Sequence, residues 1–514
     1  MNNNSRTENT LRNSVWGALL KLLTMICPFI FRTIIIRNIG AAYIGLNGLF
    51  KSIFSVLSMA ELGFGTSIVF MMYKPIAMGN KTEIRQLLGL MRTIYRIIGA
   101  VILTAGLCLF PFLDKLVKND TGVDVNIHLL YGLYLFHTVT SYWMFSYRSL
   151  LLSAHQRSDL NHKILFGCDL CMYLLQGIAL YFTKNYYLYV AVLAVMTIPQ
   201  NLMYYLVSKK KYPDIYCEGK PTMEQIEMLK EKIAPLLVHR IGGKIIISID
   251  DLIISMFLGV TILTKYDNYY YIISAIVGFM TIFRHGVMAS FGNKMNTDTM
   301  DQTYCVFKRS VYLWIAIVGL SAACFAGLFQ PFITLWVGEA YLFDNVTMLS
   351  LVAYFFLWQF RYIALAIKDS AGLWEADKWK PIIGMALNFG ASVLMVKLTG
   401  SVIGVLYPTM VIMLFVYFPW ETYVLFKLLF KRSPKQYLLL IAHCIFSASA
   451  AIATSYFVGE WIGEGGLFRF AVRTLACGAS AAVVFVALTW MRPEFREVIH
   501  IGQLMLRRKG LLKP

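Results

Sequence analysis

Long apolar runs recur along the whole chain and constrain its fold more than any other feature of the sequence. Residues 97–113 (IIGAVILTAGLCLFPFL) and 438–458 (LLLIAHCIFSASAAIATSYFV) approach the roughly 20 apolar residues that a helix needs to cross a bilayer. The strands of a membrane barrel are about half as long and alternate apolar with polar residues. Because lipid offers the backbone no hydrogen bonds, such runs must satisfy their amides within helices. The sequence therefore predicts an all-α polytopic membrane protein.

The composition agrees with a chain that faces lipid over much of its surface. Of 514 residues, 58% are hydrophobic and 15% are charged, whereas a soluble domain carries about 25% charged residues. We expect about 14 transmembrane helices and no separate soluble domain. Their approximate ranges are 15–36, 43–72, 93–113, 127–152, 161–182, 186–207, 236–258, 266–289, 309–330, 346–368, 381–398, 401–427, 436–458 and 467–490.

The positive charge of the chain, formally +19, predicts its topology. The N-terminus is polar and lacks a signal-peptide pattern, so we expect it to stay in the cytosol ahead of a retained first helix. Six basic clusters then fall on the same side, among them 209–211 (KKK), 431–435 and 507–509, and the positive-inside rule makes that side cytosolic. Both termini are predicted to be cytosolic. A nucleic-acid partner is not expected, because the charges are dispersed over loops and no basic soluble module accompanies them.

The nine cysteines and eight histidines predict no cofactor, no metal and no disulfide. Most of the cysteines lie in apolar runs, and the others lie near basic stretches predicted to be cytosolic. Cys168 and Cys171 form a C-x-x-C pair, but no second pair completes a metal site, so membrane packing is the favoured interpretation. His128, His137 and His443 are interpreted as isolated core or interface residues.

An internal repeat of about 220 residues divides the chain into two lobes. With six helices in each unit, both lobes keep the same orientation in the membrane. Three landmarks recur: Gly40 and Gly259 after predicted helices, Asn47 and Asn268 near helix starts, and the segments 109–112 (LFPF) and 328–332 (LFQPF). The predicted domains are an N-lobe at 1–207, a cytosolic linker at 208–235 that ends in an amphipathic helix, a C-lobe at 236–435, two further helices at 436–490 and a basic cytosolic tail at 491–514.

Ionisable residues inside the predicted helices need a cavity or a partner, because a charge at the bilayer centre costs about 3 kcal/mol on insertion scales. In the second helix a polar face runs from Asn47 through Lys51 to Glu61 at three- and four-residue steps. The repeat places Lys21 of the first helix over Arg240 of the seventh, so both lobes can direct a cation at one central cavity. Such a cavity suits an anion such as pyrophosphate. The candidate anion-binding residues are Lys21, Arg32, Lys51, Arg240, Lys244, Arg284 and Arg361.

Several of the ionisable residues inside the predicted helices also have a simpler interpretation. Lys21, Arg32, Arg240 and Arg284 lie within two turns of a helix end, where their side chains can reach the membrane surface instead. Glu61 is a candidate for ion coupling, and its alternative is a structural ion pair with a nearby Lys or Arg. The acidic pair Asp250 and Asp251 is likewise either an ion-coupling site or a neutralising partner of Lys244.

A stretch across the first two helices carries a resemblance to a known family. Residues 37–67 (RNIGAAYIGLNGLFKSIFSVLSMAELGFGTS) resemble the signature of Wzx-type oligosaccharide flippases of the MOP superfamily, to which MATE exporters and lipid II flippases also belong. The resemblance extends through 71–77 (MMYKPIA), 239–259 (HRIGGKIIISIDDLIISMFLG) and 266–269 (YDNY). As a helix layout it covers the whole chain, and it is generic in the C-terminal third.

The resemblance implies two six-helix lobes around a cationic cavity in the bacterial cytoplasmic (inner) membrane. The implied activity moves an undecaprenyl-pyrophosphate-linked repeat unit of O-antigen, capsule or exopolysaccharide from the inner to the outer leaflet by alternating access. Lys21, Lys51, Arg240 and Lys244 would bind the pyrophosphate, and Glu61 would couple transport to H⁺ or Na⁺. A polysaccharide polymerase and glycosyltransferases are the expected protein partners, and membrane lipids surround the chain. Asp250 and Asp251 depart from a purely cationic lining.

Three rival functions can be weighed on the sequence. A MATE-like cation antiporter needs acids in the first helix, which instead carries Lys21 and Arg32. A membrane glycosyltransferase or ligase needs a long outward loop, and the longest, about residues 331–345, is short for a catalytic site, so no enzyme activity is predicted. A lipid II flippase is harder to separate, because it too moves a pyrophosphate-linked lipid.

Overall fold

The computed structural model describes residues 3–508 except positions 62, 118–124, 231–247, 298 and 374. Every regular element in these ranges is a helix, which confirms the all-α prediction for the described part of the chain. The chain divides into two compact units, unit 1 (Met1–Thr264) and unit 2 (Lys265–Pro514). The lobe boundaries derived from the repeat stay a prediction beside this division.

Ten of the described helical segments are long and apolar enough to cross a membrane, so the chain is a multi-pass membrane protein. The count of 14 stays a prediction. The ten segments are Val15–Asn38, Lys81–Leu116, Ser158–Thr183, Tyr186–Lys211, Met300–Trp336, Asn345–Ser370, Glu375–Thr399, Ile403–Leu429, Lys435–Ile462 and Leu467–Thr489.

Unit 1 contains nine labelled helices, and residues 223–230 and 248–253 are helical as well. Three of the helices begin with an asparagine side chain that accepts a backbone N–H, at Asn80, Asn126 and Asn185. The helices are α1 (Asn3–Asn38), α2 (Ala42–Leu57), α3 (Phe64–Met78), α4 (Lys81–Leu109), α5 (Leu113–Leu116), α6 (Ile127–Trp143), α7 (Arg148–Ala154), α8 (Ser158–Thr183) and α9 (Tyr186–Lys211).

Helix α10 (Val260–Thr297) begins at the end of unit 1, and the remaining helices belong to unit 2. They are α11 (Met300–Trp336), α12 (Asn345–Gln359), α13 (Tyr362–Ser370), α14 (Lys380–Thr399), α15 (Ile403–Ile412), α16 (Phe418–Val424), α17 (Lys435–Ile462), α18 (Leu467–Thr489) and α19 (Pro493–Arg508). Two π-helical turns, Met413–Tyr417 and Leu425–Leu429, flank α16.

Several of the spans predicted as continuous helices are interrupted, among them 127–152 at residues 144–147, and an ionisable residue lies at two of the interruptions. The predicted helix 43–72 breaks at a 3₁₀ turn, Ser58–Glu61, and at Gly63, whose φ of 109° favours glycine. The predicted helix 346–368 breaks between α12 and α13, at Phe360 and Arg361. Non-helical backbone within a membrane protein is tolerated where it is buried in protein or lines a cavity. The breaks therefore direct attention to Glu61 and Arg361.

Of the repeat landmarks, the two glycines agree and the segments 109–112 and 328–332 differ. Gly40 and Gly259 both have positive φ, 139° and 99°, between consecutive helices. Segment 109–112 leaves the helix in a 3₁₀ turn, Phe110–Phe112, whereas Pro331 of the matching segment lies inside α11, which continues to Trp336.

Within each unit, small residues let helices pack closely against one another. In unit 1 a Cβ on Gly45 would lie 2.6 Å from the hydroxyl oxygen of Thr264, which donates to the carbonyl oxygen of Ala41 at 3.0 Å. In unit 2 a Cβ on Gly319 would lie 2.8 Å from that of Ala448. Small residues of this kind let transmembrane helices pack at short range. The helix that carries Lys51 is thereby fixed against the start of α10.

The chain after α9 is tied back onto unit 1. Lys81 pairs with Asp214 at 2.6 Å, and Arg85 donates to the carbonyl oxygen of Asp214 at 2.9 Å and pairs with Glu218 at 3.0 Å. Buried Arg148 donates to the carbonyl oxygen of Ile215 at 2.9 Å. We call residues 212–218 the strap. The hydrogen bond from the Lys81 ammonium lowers the pKa of the Asp214 carboxyl below its ordinary value.

Candidate functional site

A polar cavity of about 380 Å³ lies within unit 1, and Lys51 lines it. The side chain of Lys51 is exposed, although both of its neighbours on α2, Phe50 and Ser52, are buried. Hydroxyl, amide and imidazole groups from five helices complete the lining, which consists of Pro28, Asn47, Lys51, Phe54, Ser55, Ser58, Tyr134, His137, Thr138, Ser141, Tyr142, Met172, Tyr173, Gln176, Tyr189 and Leu193.

The spacing of polar residues on α2 builds one wall of this cavity. Asn47, Lys51, Ser55 and Ser58 follow one another at three- and four-residue steps, so they share a face of the helix, and all four line the cavity. The carboxamide oxygen of Asn47 accepts a hydrogen bond of 2.6 Å from the Tyr134 hydroxyl, which fixes α2 against α6. The polar face identified in the sequence is therefore the face that meets the cavity.

A second cavity of about 320 Å³ adjoins the first and shares His137, Ser141, Met172 and Leu193 with it. Its lining includes Asp169 on α8, a carboxylate that the sequence interpretation overlooked. The signal was available, because Asp169 lies inside the predicted helix 161–182 and the rule applied to Glu61 applies equally to it.

His137 links the two cavities. Its Nδ1 lies 2.6 Å from the hydroxyl oxygen of Thr197, and the imidazole is close enough to Lys51 to interact with it electrostatically. The sequence placed His137 among isolated core histidines, whereas its ring lines both chambers.

Glu61 lies beside the first cavity and binds two phenols. Its Oε1 accepts a hydrogen bond of 2.6 Å from Tyr95 of α4, and its Oε2 accepts one of 2.6 Å from Tyr142 of α6. Tyr142 also lines the cavity, so the carboxylate is one side chain away from it. The 3₁₀ turn at Ser58–Glu61 aims the acid at these two helices.

The other candidates in unit 1 lie in different places. Lys21 is exposed on α1, and Arg32 is partly buried on the same helix near Tyr186, while Pro28 between them lines the cavity. Neither Lys21 nor Arg32 lines it. Arg240 and Lys244 lie outside the described residues.

The acidic pair of the predicted seventh helix lies close to α2. Asp250 is fully buried, and the carboxylate of Asp251 accepts a hydrogen bond from the hydroxyl of Ser52. Because Ser52 is adjacent to Lys51 on α2, this bond brings the acidic pair next to the helix that carries the cavity lysine.

Unit 2 contains a buried ionic cluster, which we define as Arg361, Lys368, Asp377, Lys380 and Glu421. Lys380 lies 2.6 Å from Glu421 and 2.7 Å from Asp377, and Lys368 lies 2.7 Å from Asp377. Arg361 also pairs with Glu421. Burial leaves each charge dependent on its partners. Lys380, which with Lys378 forms one of the six basic clusters predicted to be cytosolic, is only 3% exposed.

Arg284 and Arg361, both candidates from the sequence, meet on one aromatic ring. The guanidinium of Arg284 lies 5.0 Å from the ring centre of Tyr362, and that of Arg361 lies 5.7 Å from it. Such contacts hold a guanidinium by its attraction to the ring face. Unit 2 therefore combines a buried ionic cluster with a further cation, Arg284, on the same aromatic ring as Arg361.

A metal centre is not found among the described side chains, where no three His, Cys, Asp or Glu residues are grouped as ligands. The chemistry available in both units is that of cations, carboxylates and hydroxyl groups, which suits binding of an ionic group within the membrane.

Comparison with known proteins gives matches in fold and none in sequence. No protein family matches the chain by sequence profile, and no curated protein matches its sequence. Solved structures do match in fold. The lipid II flippase MurJ, in an inward closed conformation, matches with a TM-score of 0.65 and 12% identity over 95% of this chain and 99% of that one.

Two further structures belong to the MOP superfamily by description. An inward-facing multidrug resistance MATE transporter matches with a TM-score of 0.60 and 14% identity over 79% of this chain and 94% of that chain. A transporter from Pyrococcus furiosus, described as having a binding pocket of reversed polarity, matches with a TM-score of 0.54 and 14% identity over 83% and 96%. The chain shares the fold of MOP superfamily transporters.

Proposed function

We propose that this protein is a flippase that moves undecaprenyl-pyrophosphate-linked oligosaccharide repeat units from the inner to the outer leaflet of the bacterial cytoplasmic membrane by alternating access. The repeat units would serve O-antigen, capsule or exopolysaccharide synthesis. The observation that carries the proposal is the exposed ammonium of Lys51 in the polar cavity of unit 1, on a fold shared with MOP transporters.

The ammonium of Lys51 costs free energy when it lies within the bilayer. A charge within the bilayer span is retained where it meets a cavity or a partner, and Lys51 lines a cavity wide enough for a hydrated ionic group. Among the lining residues it is the one permanent charge, and the other polar ones offer hydroxyl, amide or imidazole groups. A lysine binds phosphate as a point charge, and the surrounding hydroxyl groups can donate to its oxygens. The cavity therefore favours an anion over a cationic drug.

The remaining candidates are also proposed as anion-binding residues. Arg284 and Arg361, which share Tyr362, would serve this role within unit 2, and Arg361 would do so while bound to Glu421. Lys21, Arg32, Arg240 and Lys244 would attract the headgroup from the cytosolic side, where a lysine or arginine adds favourable electrostatic energy.

An apolar groove in unit 2 suits the prenyl tail of such a substrate. It has a volume of about 510 Å³ and lies between α12 and α17. Its wall includes Leu349, Val352, Phe356 and Ile452, and Phe457 is 69% exposed at its edge. Contact with an isoprenoid costs these aliphatic and aromatic side chains no more free energy than contact with membrane lipid. The tail can therefore stay in the bilayer while the headgroup crosses.

Coupling to an ion is a separate part of the proposal. The Glu61 carboxylate accepts hydrogen bonds from the hydroxyls of Tyr95 and Tyr142. Protonation of Glu61 would therefore remove the negative charge that both hydroxyls stabilise. Asp250 and Asp251 are the alternative coupling residues, because Asp251 binds the helix that carries Lys51.

The experiment that tests the flippase is a transport assay with purified protein in liposomes. The probe is a fluorescent undecaprenyl-pyrophosphate oligosaccharide, and its exposure in the outer leaflet is measured by quenching. Lys51→Glu should reduce the flipping rate by about a hundredfold or more, Lys51→Arg should retain much of it, and Lys210→Glu, an exposed lysine at the end of α9, is the matched control. Wild-type flipping by Lys51→Glu would refute the anion site.

A lipid II-type flippase is the second candidate, and the fold match to MurJ over 95% of the chain favours it. Both substrates have a pyrophosphate and a prenyl tail, so Lys51→Glu would abolish either activity. The same assay with lipid II in place of the oligosaccharide separates them, since the true substrate should flip faster. Transport of a cationic dye, unaffected by either lipid, would instead indicate a MATE-like exporter.

A further inference from the structure

A groove of about 760 Å³ lies in unit 2 where α16 and the π-helical turn Leu425–Leu429 meet the start of α17. It is separate from the ionic cluster, from the apolar groove beside α12 and from the unit 1 cavity. Its wall has two kinds of surface, a cationic end and an apolar side. The lining used below consists of Phe418, Tyr423, Lys427, Lys431, Arg432 and Leu438.

The cationic end carries three basic side chains and no acidic one among the lining residues. Lys427 lies 4.8 Å from the ring centre of Tyr423, and its ammonium contacts the hydroxyl of the same residue. Arg432 pairs with Asp301 and lies 5.1 Å from the ring centre of Tyr304. Within the described part of the chain, Asp301 is the one carboxylate in ion-pair contact with any of the three, and Lys427 and Lys431 are exposed.

The backbone of this end is held in an unusual conformation. Lys431 has a φ of 50°, in the left-handed region that side chains other than glycine seldom adopt. Two backbone hydrogen bonds close the turn around it, from the N–H of Phe430 to Leu425 at 3.0 Å and from the N–H of Arg432 to Phe426 at 3.1 Å. The fold thus fixes the turn that carries Lys431 at a groove whose lining also includes Lys427 and no acidic residue.

The apolar side is formed by side chains of α16 and α17, and Tyr423 joins it to the cationic end. Tyr423 is 57% exposed and Leu438 is 40% exposed, and Phe418 lies deeper in the same wall. A free phosphate would satisfy the ammonium groups and leave this wall uncovered. An anionic head with an attached acyl chain covers both surfaces.

We propose that this groove binds an anionic phospholipid of the bulk bilayer. The phosphate lies against Lys427 and Lys431, and one acyl chain packs along Tyr423 and Leu438. Basic pockets between transmembrane helices on the cytosolic side are a recurring way to hold such lipids, and the positive-inside rule predicts that residues 431–435 face the cytosol. The lipid joins the span Ile403–Leu429 to the span Lys435–Ile462, and it does so whatever substrate the protein transports.

The test measures thermal stabilisation of the purified full chain by added lipid. The probes are phosphatidylglycerol and phosphatidylcholine with the same acyl chains. Phosphatidylglycerol should raise the Tm of the wild type by several degrees more than phosphatidylcholine, and Lys427→Gln with Lys431→Gln should remove that excess. The matched control, Lys209→Gln with Lys210→Gln, removes the same charge from an exposed basic cluster at the end of α9 and should keep it.

Three outcomes would overturn the proposal. In the first, the two lipids raise the Tm of the wild type equally. In the second, the additional Tm increase with phosphatidylglycerol survives in the Lys427 and Lys431 variant. In the third, the control variant loses that additional increase to the same extent. A further arm adds undecaprenyl pyrophosphate. If it protects the wild type through Lys427 and Lys431 while phosphatidylglycerol does not, the groove serves a substrate lipid and the bulk-lipid proposal fails. Gel filtration of each variant, together with the single variant Lys431→Gln, distinguishes lost binding from lost folding.

Discussion

The two units place their charged side chains in opposite environments. In unit 1 Lys51 is exposed in a polar cavity, and Glu61 beside it is held by two phenols. In unit 2 Lys380 and Arg361 are buried against Glu421. Halves of a chain that share sequence landmarks therefore use charge differently. The number of cations in a span does not predict a binding site, because residues elsewhere in the same unit decide whether a cation is buried in ion pairs or lines a cavity.

The broken spans show the same contrast at closer range. In unit 1, the interruption at Ser58–Glu61 places a carboxylate where it accepts hydrogen bonds from two tyrosine hydroxyl groups. In unit 2 the interruption at Phe360 and Arg361 aims a guanidinium at a carboxylate, which neutralises it. The expected result is a unit 1 that responds to ligands and protons and a unit 2 that depends on its ionic cluster for stability.

The largest effect is expected from removing the shared acid of unit 2. Glu421→Ala leaves Arg361 buried without its carboxylate and takes one of two from Lys380, so we expect a loss of about 3–5 kcal/mol in unfolding free energy. Denaturant unfolding of the purified protein in detergent measures it. Combining Glu421→Met with Arg361→Met should recover most of the loss. A Glu421→Ala protein as stable as the wild type would show that unit 2 does not depend on its ionic cluster for stability.

A smaller loss is expected in unit 1 when Glu61 is changed to alanine. The hydroxyls of Tyr95 and Tyr142 then lose their acceptor, and each unsatisfied buried group costs about 1–3 kcal/mol. Replacing both tyrosines by phenylalanine in the Glu61→Ala background should restore stability, because no hydroxyl then lacks a partner. If the triple variant is no more stable than the single one, the carboxylate is held by other contacts.

The repeat itself can be tested at its glycines. Gly40→Ala and Gly259→Ala should each cost about 1–2 kcal/mol, since both positions have positive φ. Gly132→Ala is the matched control, because Gly132 lies within α6 with open space around its Cβ position and should be neutral or slightly stabilising. Unequal losses at the two landmarks, measured by thermal unfolding, would show that the repeat has diverged there.

Lys51 should matter little to stability. Lys51→Gln removes an exposed ammonium, so the unfolding free energy should change by about 0.5 kcal/mol or less, although transport is lost. A circular dichroism melt alongside the flipping assay checks both parts. A large drop in Tm would place Lys51 among the structural ion pairs, as in unit 2.

The smallest effect is expected at the strap. Asp214 has a pKa lowered by Lys81, so its contribution is present at neutral pH and fades as the pH falls through the lowered pKa. Both side chains are exposed, so Asp214→Asn should lower the Tm slightly at low salt and not measurably at about 1 M salt. A salt-independent loss would show that Asp214 acts through packing.

Apolar run length and period were enough to predict the all-α membrane fold, and the spacing from Asn47 to Ser58 identified the face that lines the cavity. The breaks at Ser58–Glu61 and at Arg361 were not predicted, although Gly63, whose positive φ favours glycine, follows the first of them closely. Glu421 and Asp169 were missed although both lie inside predicted helices. Which acid meets which cation depends on helix packing that no sequence separation reveals.

The strap changes where motion can be accommodated in this chain. Ion pairs and backbone contacts fasten residues 212–218 to α4 and α7, so the first part of the predicted linker travels with unit 1 as a rigid extension. A spin label or fluorophore on Cys217 would therefore report on unit 1, and any flexible part of the predicted linker must begin after residue 218.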